Sequence, residues 1–294
     1  MLFRGTTLMM AASVILACDP ALADDPANQG PASPDFSAAE AEEEGEDEGP
    51  DGCAVRPPAP LPRVMFVLDR SDSMGPGARE SAPALLDGPS RWARAHALVE
   101  ALSERLEGAA ELGAALFPSS FAAVGGEAAQ CDVLEVPDVA VGPWSSAELL
   151  ARLPAADELG LVGASPAAQA MWTALEHVRA LGVGPATTIV LVTDGGANCA
   201  DEAAPLADFD EGLEDVVAFA RDELGVVTLV VGAAPASAPQ QVPSVDAREA
   251  LREIALAGGA PSASAGYYDV DDADALASAL AQTLGLGGPG PRCP

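Results

Sequence analysis

The chain has 294 residues, 49% of them hydrophobic, which is enough for a proper core and excludes disorder throughout. Its 45 acidic residues stand against 14 basic ones, all of them arginine, for a formal charge of -31. With no basic patch to hold phosphates, nucleic acid is excluded as a partner.

The N-terminus reads as an export signal, with Arg4 supplying charge ahead of a mostly apolar run from Leu8 to Ala17 that is short for a bilayer span. Two processing sites fit. Ile15-Leu16-Ala17-Cys18 resembles the lipobox of bacterial lipoproteins, and Ala21-Leu22-Ala23 is an A-x-A peptidase site. The lipobox is the preferred reading, with Cys18 carrying the lipid. It predicts a cell-envelope lipoprotein of the periplasm or outer membrane, otherwise a secreted protein, touching membrane only through that anchor. From Asp24 to Gly52 there are eleven acidic residues and no basic one. Such a stretch repels itself and buries nothing, so it is expected to be a disordered tether on the order of 30 to 60 Å long. The expected organisation is residues 1–23 for the signal and lipobox region, 24–52 for the linker and 53–294 for one folded domain.

Five cysteines occur, at 18, 53, 131, 199 and 293. Either processing route takes Cys18 out of the count, and an even number in an exported chain points to two disulfides, of which four cysteines permit three pairings. The preferred set is Cys53 with Cys293, closing the domain at its ends for roughly 4 to 5 kcal/mol in the chain-entropy model, and Cys131 with Cys199. Zinc is disfavoured: there is no CxxC spacing, and His96 and His177 fall in helical patterns.

In chain order, Arg63 to Leu68 is a β-forming run that reads as a buried central strand, followed by a loop carrying Asp69. Trp92, Ala95, Val99, Leu102 and Leu106 recur every three or four residues, predicting a helix from Ser90, its N-cap, to Leu106. Leu112–Phe117 and Val133–Val136 are the next candidate strands. Ser145–Leu153 is a short helix capped by Ser145 or Ser146, and Pro166–Leu181 a longer one with proline where its missing N–H costs nothing. Thr187–Val192 (strand), Gly212–Leu224 (helix), Val226–Val231 (strand), Val245–Ala257 (helix), Tyr267–Val270 (edge strand) and Ala273–Leu284 (helix) complete the pattern. Trp92 and Trp172 are assigned to core-facing helix sides and Trp144 to a loop anchor. This alternation predicts an α/β fold: a doubly wound, mostly parallel sheet with helices on both faces, whose ligand site lies at the carboxyl ends of the strands where strand order reverses.

The loop after the first strand reads Asp69-Arg70-Ser71-Asp72-Ser73-Met74-Gly75. In an extended loop Asp69, Ser71 and Ser73 share one side and offer three oxygens to a hard cation. Alone that is a weak signal, since turns use Asp and Ser for capping. Two further pieces lie where this topology predicts a site: Gly163-Ala164-Ser165-Pro166 at a helix start, and Val192-Thr193-Asp194-Gly195 after an apolar strand. Together the three resemble the metal-ion-dependent adhesion site of the von Willebrand factor type A family, over roughly Arg63 to Leu284. The resemblance implies that Ser71 and Ser73 coordinate a divalent ion directly, that Ser165 stands where the family has threonine, and that Asp69 and Asp194 act largely through bound waters. Mg²⁺ is the expected ion, with Ca²⁺ or Mn²⁺ as alternatives. Neutral hydroxyls leave it electrophilic, so a protein partner's carboxylate can complete its shell. Asp72 stands where the family commonly has glycine and is expected to face solvent. Asn198 is expected to form an Asx-turn, and a Cys131–Cys199 bond would pin the loop after Asp194.

The competing class is an enzyme, with Ser165 as nucleophile of a serine hydrolase. Gly163-Ala164-Ser165-Pro166-Ala167 lacks the final glycine of a nucleophile elbow, and no histidine follows His177 to serve as base. A binding protein rather than an enzyme is therefore expected; a scaffold with a non-functional metal site is the third reading.

Overall fold

A computed structural model describes residues 59–75, 88–120, 129–158, 160–161, 163–182, 185–195, 197–199, 210, 212–235 and 246–286, all within the unit Val55–Pro294. The expected signal region and acidic linker, with Cys18, and the expected Cys53–Cys293 pair lie outside the described residues.

Six strands form one sheet: β1 (Arg63–Asp69), β2 (Glu111–Phe117), β3 (Val139–Gly142), β4 (Thr187–Thr193), β5 (Val227–Gly232) and β6 (Tyr268–Asp269), in the order β3-β2-β1-β4-β5-β6. All neighbours pair parallel except β3, which runs antiparallel to β2. The third strand is thus not Val133–Val136, which forms no strand. Val133 packs against the α3 side of the core but Val136 is 67% exposed, and no partner strand pairs with the run, whereas Val139 is buried beside β2. The chain steps outward from β1 to β3, then returns to lay β4 on the other side of β1. Strand order therefore reverses between β1 and β4.

Period-two alternation splits the core into two layers. Val64, Phe66 and Leu68 of β1, with Val190 and Val192 of β4, pack under α1 (Arg91–Leu106), α2 (Ser146–Leu150) and α6 (Ala273–Thr283). Met65 and Val67, with Ile189 and Leu191, face α3 (Ala167–Ala180), α4 (Gly212–Leu224) and α5 (Ala247–Ala257). A central strand buried on both faces has no polar side to show, which is why its sequence reads as a continuous apolar run.

Caps fix where helices begin. Ser90 accepts the Ala93 N–H at 3.1 Å ahead of α1, and Ser145 forms a capping box with Glu148 ahead of α2. Trp92 is fully buried, its Nε1 donating to the Ala155 carbonyl at 2.9 Å. Trp144 anchors its loop by donating to the Ala140 carbonyl, with the Arg152 guanidinium stacked 4.1 Å above its ring. Trp172 departs from expectation: it is 42% exposed and tilts against Phe219 of α4, ring centroids 5.2 Å apart. Ala168, Met171 and Leu175 take the core-facing side of α3, leaving position 172 at the rim.

Candidate metal centre

Asp69 closes β1 and Asp194 immediately follows β4, so the two carboxylates meet at the point where strand order reverses. Both are buried, Asp69 fully and Asp194 with 1% exposure. Asp69 accepts three hydrogen bonds: the Ser71 N–H at 2.9 Å on Oδ1, and the Thr193 and Ser165 hydroxyls at 2.7 and 3.1 Å on Oδ2. The Ser71 and Ser73 hydroxyls lie 3.0 Å from each other. Asp69, Ser71, Ser73 and Ser165, which sequence reasoning selected, are therefore joined by hydrogen bonds.

The loop reaches this geometry by a different route from the one expected. It is not extended: residues Asp72–Met74 form a single 3-10 turn, and that turn brings Ser73 back to Ser71. Asp72, at the outer side of the turn, is exposed, as expected of a solvent-facing residue.

Three loops are laced together around this point. The Asp72 N–H donates to the Gly163 carbonyl at 3.2 Å, joining the first loop to the second. Asn198 clamps Ser165's loop from the third: its Oδ1 accepts the Ser165 N–H at 2.8 Å and its own N–H donates to the Ser165 carbonyl at 3.2 Å, while the partner of the expected Asx-turn, at position 200, lies outside the described residues. Next to it, Cys199 is bonded to Cys131 with Cα atoms 5.8 Å apart, and Gln130 takes the Ala164 N–H at 3.0 Å. The expected Cys131–Cys199 bridge is present, and it ties the segments carrying Ser165 and Asn198 to the loop after β2.

Two residues of the site went unassigned in the sequence. Thr193, the last residue of β4, supplies the shortest hydrogen bond to Asp69 and its Oγ1 also accepts the Gly195 N–H at 3.2 Å. Arg91, first residue of α1, is 4% exposed. Its Nη1 donates to the Ser73 carbonyl at 2.8 Å and its Nε and Nη2 to the Ala234 carbonyl at 3.3 and 3.1 Å. The same Nη1 lies 3.2 Å from Asp194 Oδ2. That is a charge contact without hydrogen-bond alignment, because neither Asp194 oxygen has a hydrogen-bond partner among the described residues. A signal for Arg91 existed: with Ala95, Leu98 and Leu102 it falls on the apolar stripe of α1, where a cation at a helix N-terminus is doubly out of place.

Two buried carboxylates side by side carry an electrostatic cost that the single Arg91 charge offsets only in part. Burial, and secondly the neighbouring Asp194, push Asp69 up from its usual 3.8 to about 6, against the lowering effect of hydrogen bonds from Ser71 and Thr193. A buried carboxylate whose oxygens accept no hydrogen bond is costly, on the order of 1 to 3 kcal/mol or more. Asp194 has two such oxygens among the described residues, its charge met only by the Arg91 guanidinium. No group of three or more His, Cys, Asp and Glu side chains comes together among the described residues. The donors here are two carboxylates and three hydroxyls, a hard all-oxygen set that fits Mg²⁺ or Ca²⁺.

No protein-family model matches the chain, and no curated protein matches it. Among solved structures it is similar to the pilus adhesin SpaC from Lactobacillus rhamnosus GG in its open conformation, with a TM-score of 0.46 and 16% identity over 76% of this chain and 30% of that one. It is similar also to the vWF domain of the type V pili tip protein Mfa5 from Porphyromonas gingivalis (TM-score 0.47, 11% identity, 80% of this chain and 99% of that one). The PilB minor pilin from Streptococcus sanguinis matches with a TM-score of 0.47 and 15% identity, over 81% of this chain and 65% of that one. The chain thus spans less than a third of SpaC. The fold is an α/β, doubly wound, mostly parallel sheet with one antiparallel edge strand, on its own strand order.

Proposed function

We propose that this domain binds a divalent cation, Mg²⁺ foremost, between the ends of β1 and β4, and uses it to take up a carboxylate from a protein partner outside the cytoplasm. The observation that carries the reading is the buried Asp194 carboxylate, without a hydrogen bond to either oxygen among the described residues, beside Asp69 and the hydroxyls of Ser71, Ser73 and Ser165. Those hydroxyls would hold the ion directly, and the two aspartates would orient its waters. When bound, the ion supplies an electrophile for a partner's carboxylate. The remainder is done by the chain: Thr193 and Ser71 aim Asp69, and Asn198 holds the Ser165 loop. Adhesion or assembly on the cell surface is the activity such a centre suits, with the acidic tether and the Cys18 anchor as its means of reach.

The hydrolase reading is weaker. The Ser165 hydroxyl donates to a carboxylate, Asp69, and His177 Nε2 is already the acceptor of the Val141 N–H at 3.1 Å.

Thermal unfolding of the full chain in Mg²⁺, Mn²⁺ or Ca²⁺ against EDTA tests the metal reading. A hundredfold excess of ion over its dissociation constant stabilises the folded state by about 2.7 kcal/mol. The native midpoint should rise and that of Asp69→Ala should not. A native midpoint indifferent to all three ions overturns the reading.

A further inference from the structure

We infer that Arg91 is a resident counter-cation of this centre, competing with the metal ion for Asp194 and so setting how tightly the ion is held. The inference rests on the metal reading above and adds a residue that the adhesion-site pattern of aspartate and hydroxyl does not include.

The geometry is specific. Arg91 is almost wholly buried, and its three donor nitrogens reach the Ser73 carbonyl inside the metal loop and the Ala234 carbonyl after β5. Held by those two carbonyls, the guanidinium is fixed within 3.2 Å of Asp194 Oδ2 and cannot swing to solvent without breaking three hydrogen bonds. Ala234 is the one non-glycine residue with positive φ among the described residues, at 48°, and its carbonyl is the one that accepts Nε and Nη2.

Charge counting gives the consequence. Two ionised aspartates and a divalent ion alone sum to zero. With Arg91 in place the loaded centre carries an extra positive charge and the ion-free centre keeps a partial countercharge. In a buried setting charges this close interact strongly, so the guanidinium stabilises the centre without its ion and opposes the ion's entry. Removing the charge should therefore shift the domain from tolerating the absence of metal to depending on it.

The test is calorimetric titration of the full chain with Mg²⁺ and Mn²⁺, native against Arg91→Gln, with thermal midpoints in EDTA and in saturating ion. Arg91→Gln should bind at least about tenfold more tightly, start from a lower midpoint in EDTA and recover more on adding ion. If the native chain binds the ion and Arg91→Gln binds it equally or less tightly, the inference falls while the metal site stands. Binding by Arg91→Gln alone would uphold the inference and show the native site blocked. If neither protein binds, both readings fall together. Should Arg91→Gln not fold, the Nε–H resonance of Arg91 in the ¹⁵N-labelled native chain decides: a shift on saturation with Mg²⁺ supports competition, and an unmoved signal overturns it.

Discussion

The Ser165 hydroxyl donates to Asp69 Oδ2 at 3.1 Å across 96 positions of sequence. This bond joins the helix-start loop to the end of the central strand, and it makes the two halves of the candidate metal centre one unit.

Replacing Ser165 separates coordination from packing. Ser165→Ala removes a donor from a buried carboxylate and should cost about 1 to 3 kcal/mol of stability. It should also weaken ion binding by roughly tenfold or more. Ser165→Thr keeps the hydroxyl and should hold both within a small factor, its added methyl stiffening χ1. Denaturant titration and Mn²⁺ binding measured side by side check this. Equal losses from Ala and Thr would show that fit, not the hydroxyl, matters.

Reduction of the Cys131–Cys199 bridge should be felt at the site. The bond spans 68 residues, which in the chain-entropy model corresponds to about 4 kcal/mol. Cys199 adjoins Asn198, the clamp on Ser165, so a reduced chain should unfold at lower denaturant and bind Mn²⁺ less tightly. An unchanged denaturant midpoint with dithiothreitol would contradict the assignment of stability to this bridge.

Gly195 has no room for a side chain. Its φ is +99°, and an added Cβ would sit 2.9 Å from both Cβ and carbonyl oxygen of Ala247 at the start of α5. Gly195→Ala should therefore cost about 1 to 3 kcal/mol, the scale of a strained backbone residue, before any steric term. Because Asp194 precedes it, the ion-induced midpoint shift should shrink as well. Calorimetric unfolding with and without Mg²⁺ reads both effects.

His177 should make stability depend on pH. Burial, then the nearby Arg63 charge, push its pKa below the usual 6.5. The folded chain thus favours neutral imidazole, and its Nε2 accepts the Val141 N–H that holds β3. The unfolded chain takes up the proton first as pH falls. The contribution is present above pH 6.5 and is lost progressively below it. Between pH 7.5 and pH 5 the native midpoint should drop further than that of His177→Gln, and equal drops would exclude His177 as the sensor.

Much of the fold could be read from local pattern because local forces set it. The continuous apolar run Val64–Leu68 could only be a strand covered on both faces, and Ser90 and Gly212 mark helix starts that tertiary contacts did not move. The third strand was missed because Val139–Gly142 is held by antiparallel pairing to β2, a partner decided by chain return and not by its own four residues. Trp172 was misplaced for a related reason: helical periodicity leaves a residue at the edge of the apolar arc free to fall either way, and α4 leaves it half open.

By itself the sequence determined the alternation of strands and helices, and with it that Asp69 and Asp194 would sit at strand ends where order reverses, because periodicity and strand topology are properties of short stretches and their succession. Only the tertiary structure decided what surrounds those carboxylates. That Thr193 and Ser165 share Asp69 Oδ2, that Asp194 keeps two oxygens without hydrogen bonds among the described residues, and that a buried Arg91 reaches it from the start of α1 are facts of three-dimensional approach between residues far apart in the chain. No local propensity encodes such approach, since it follows from how the layers pack.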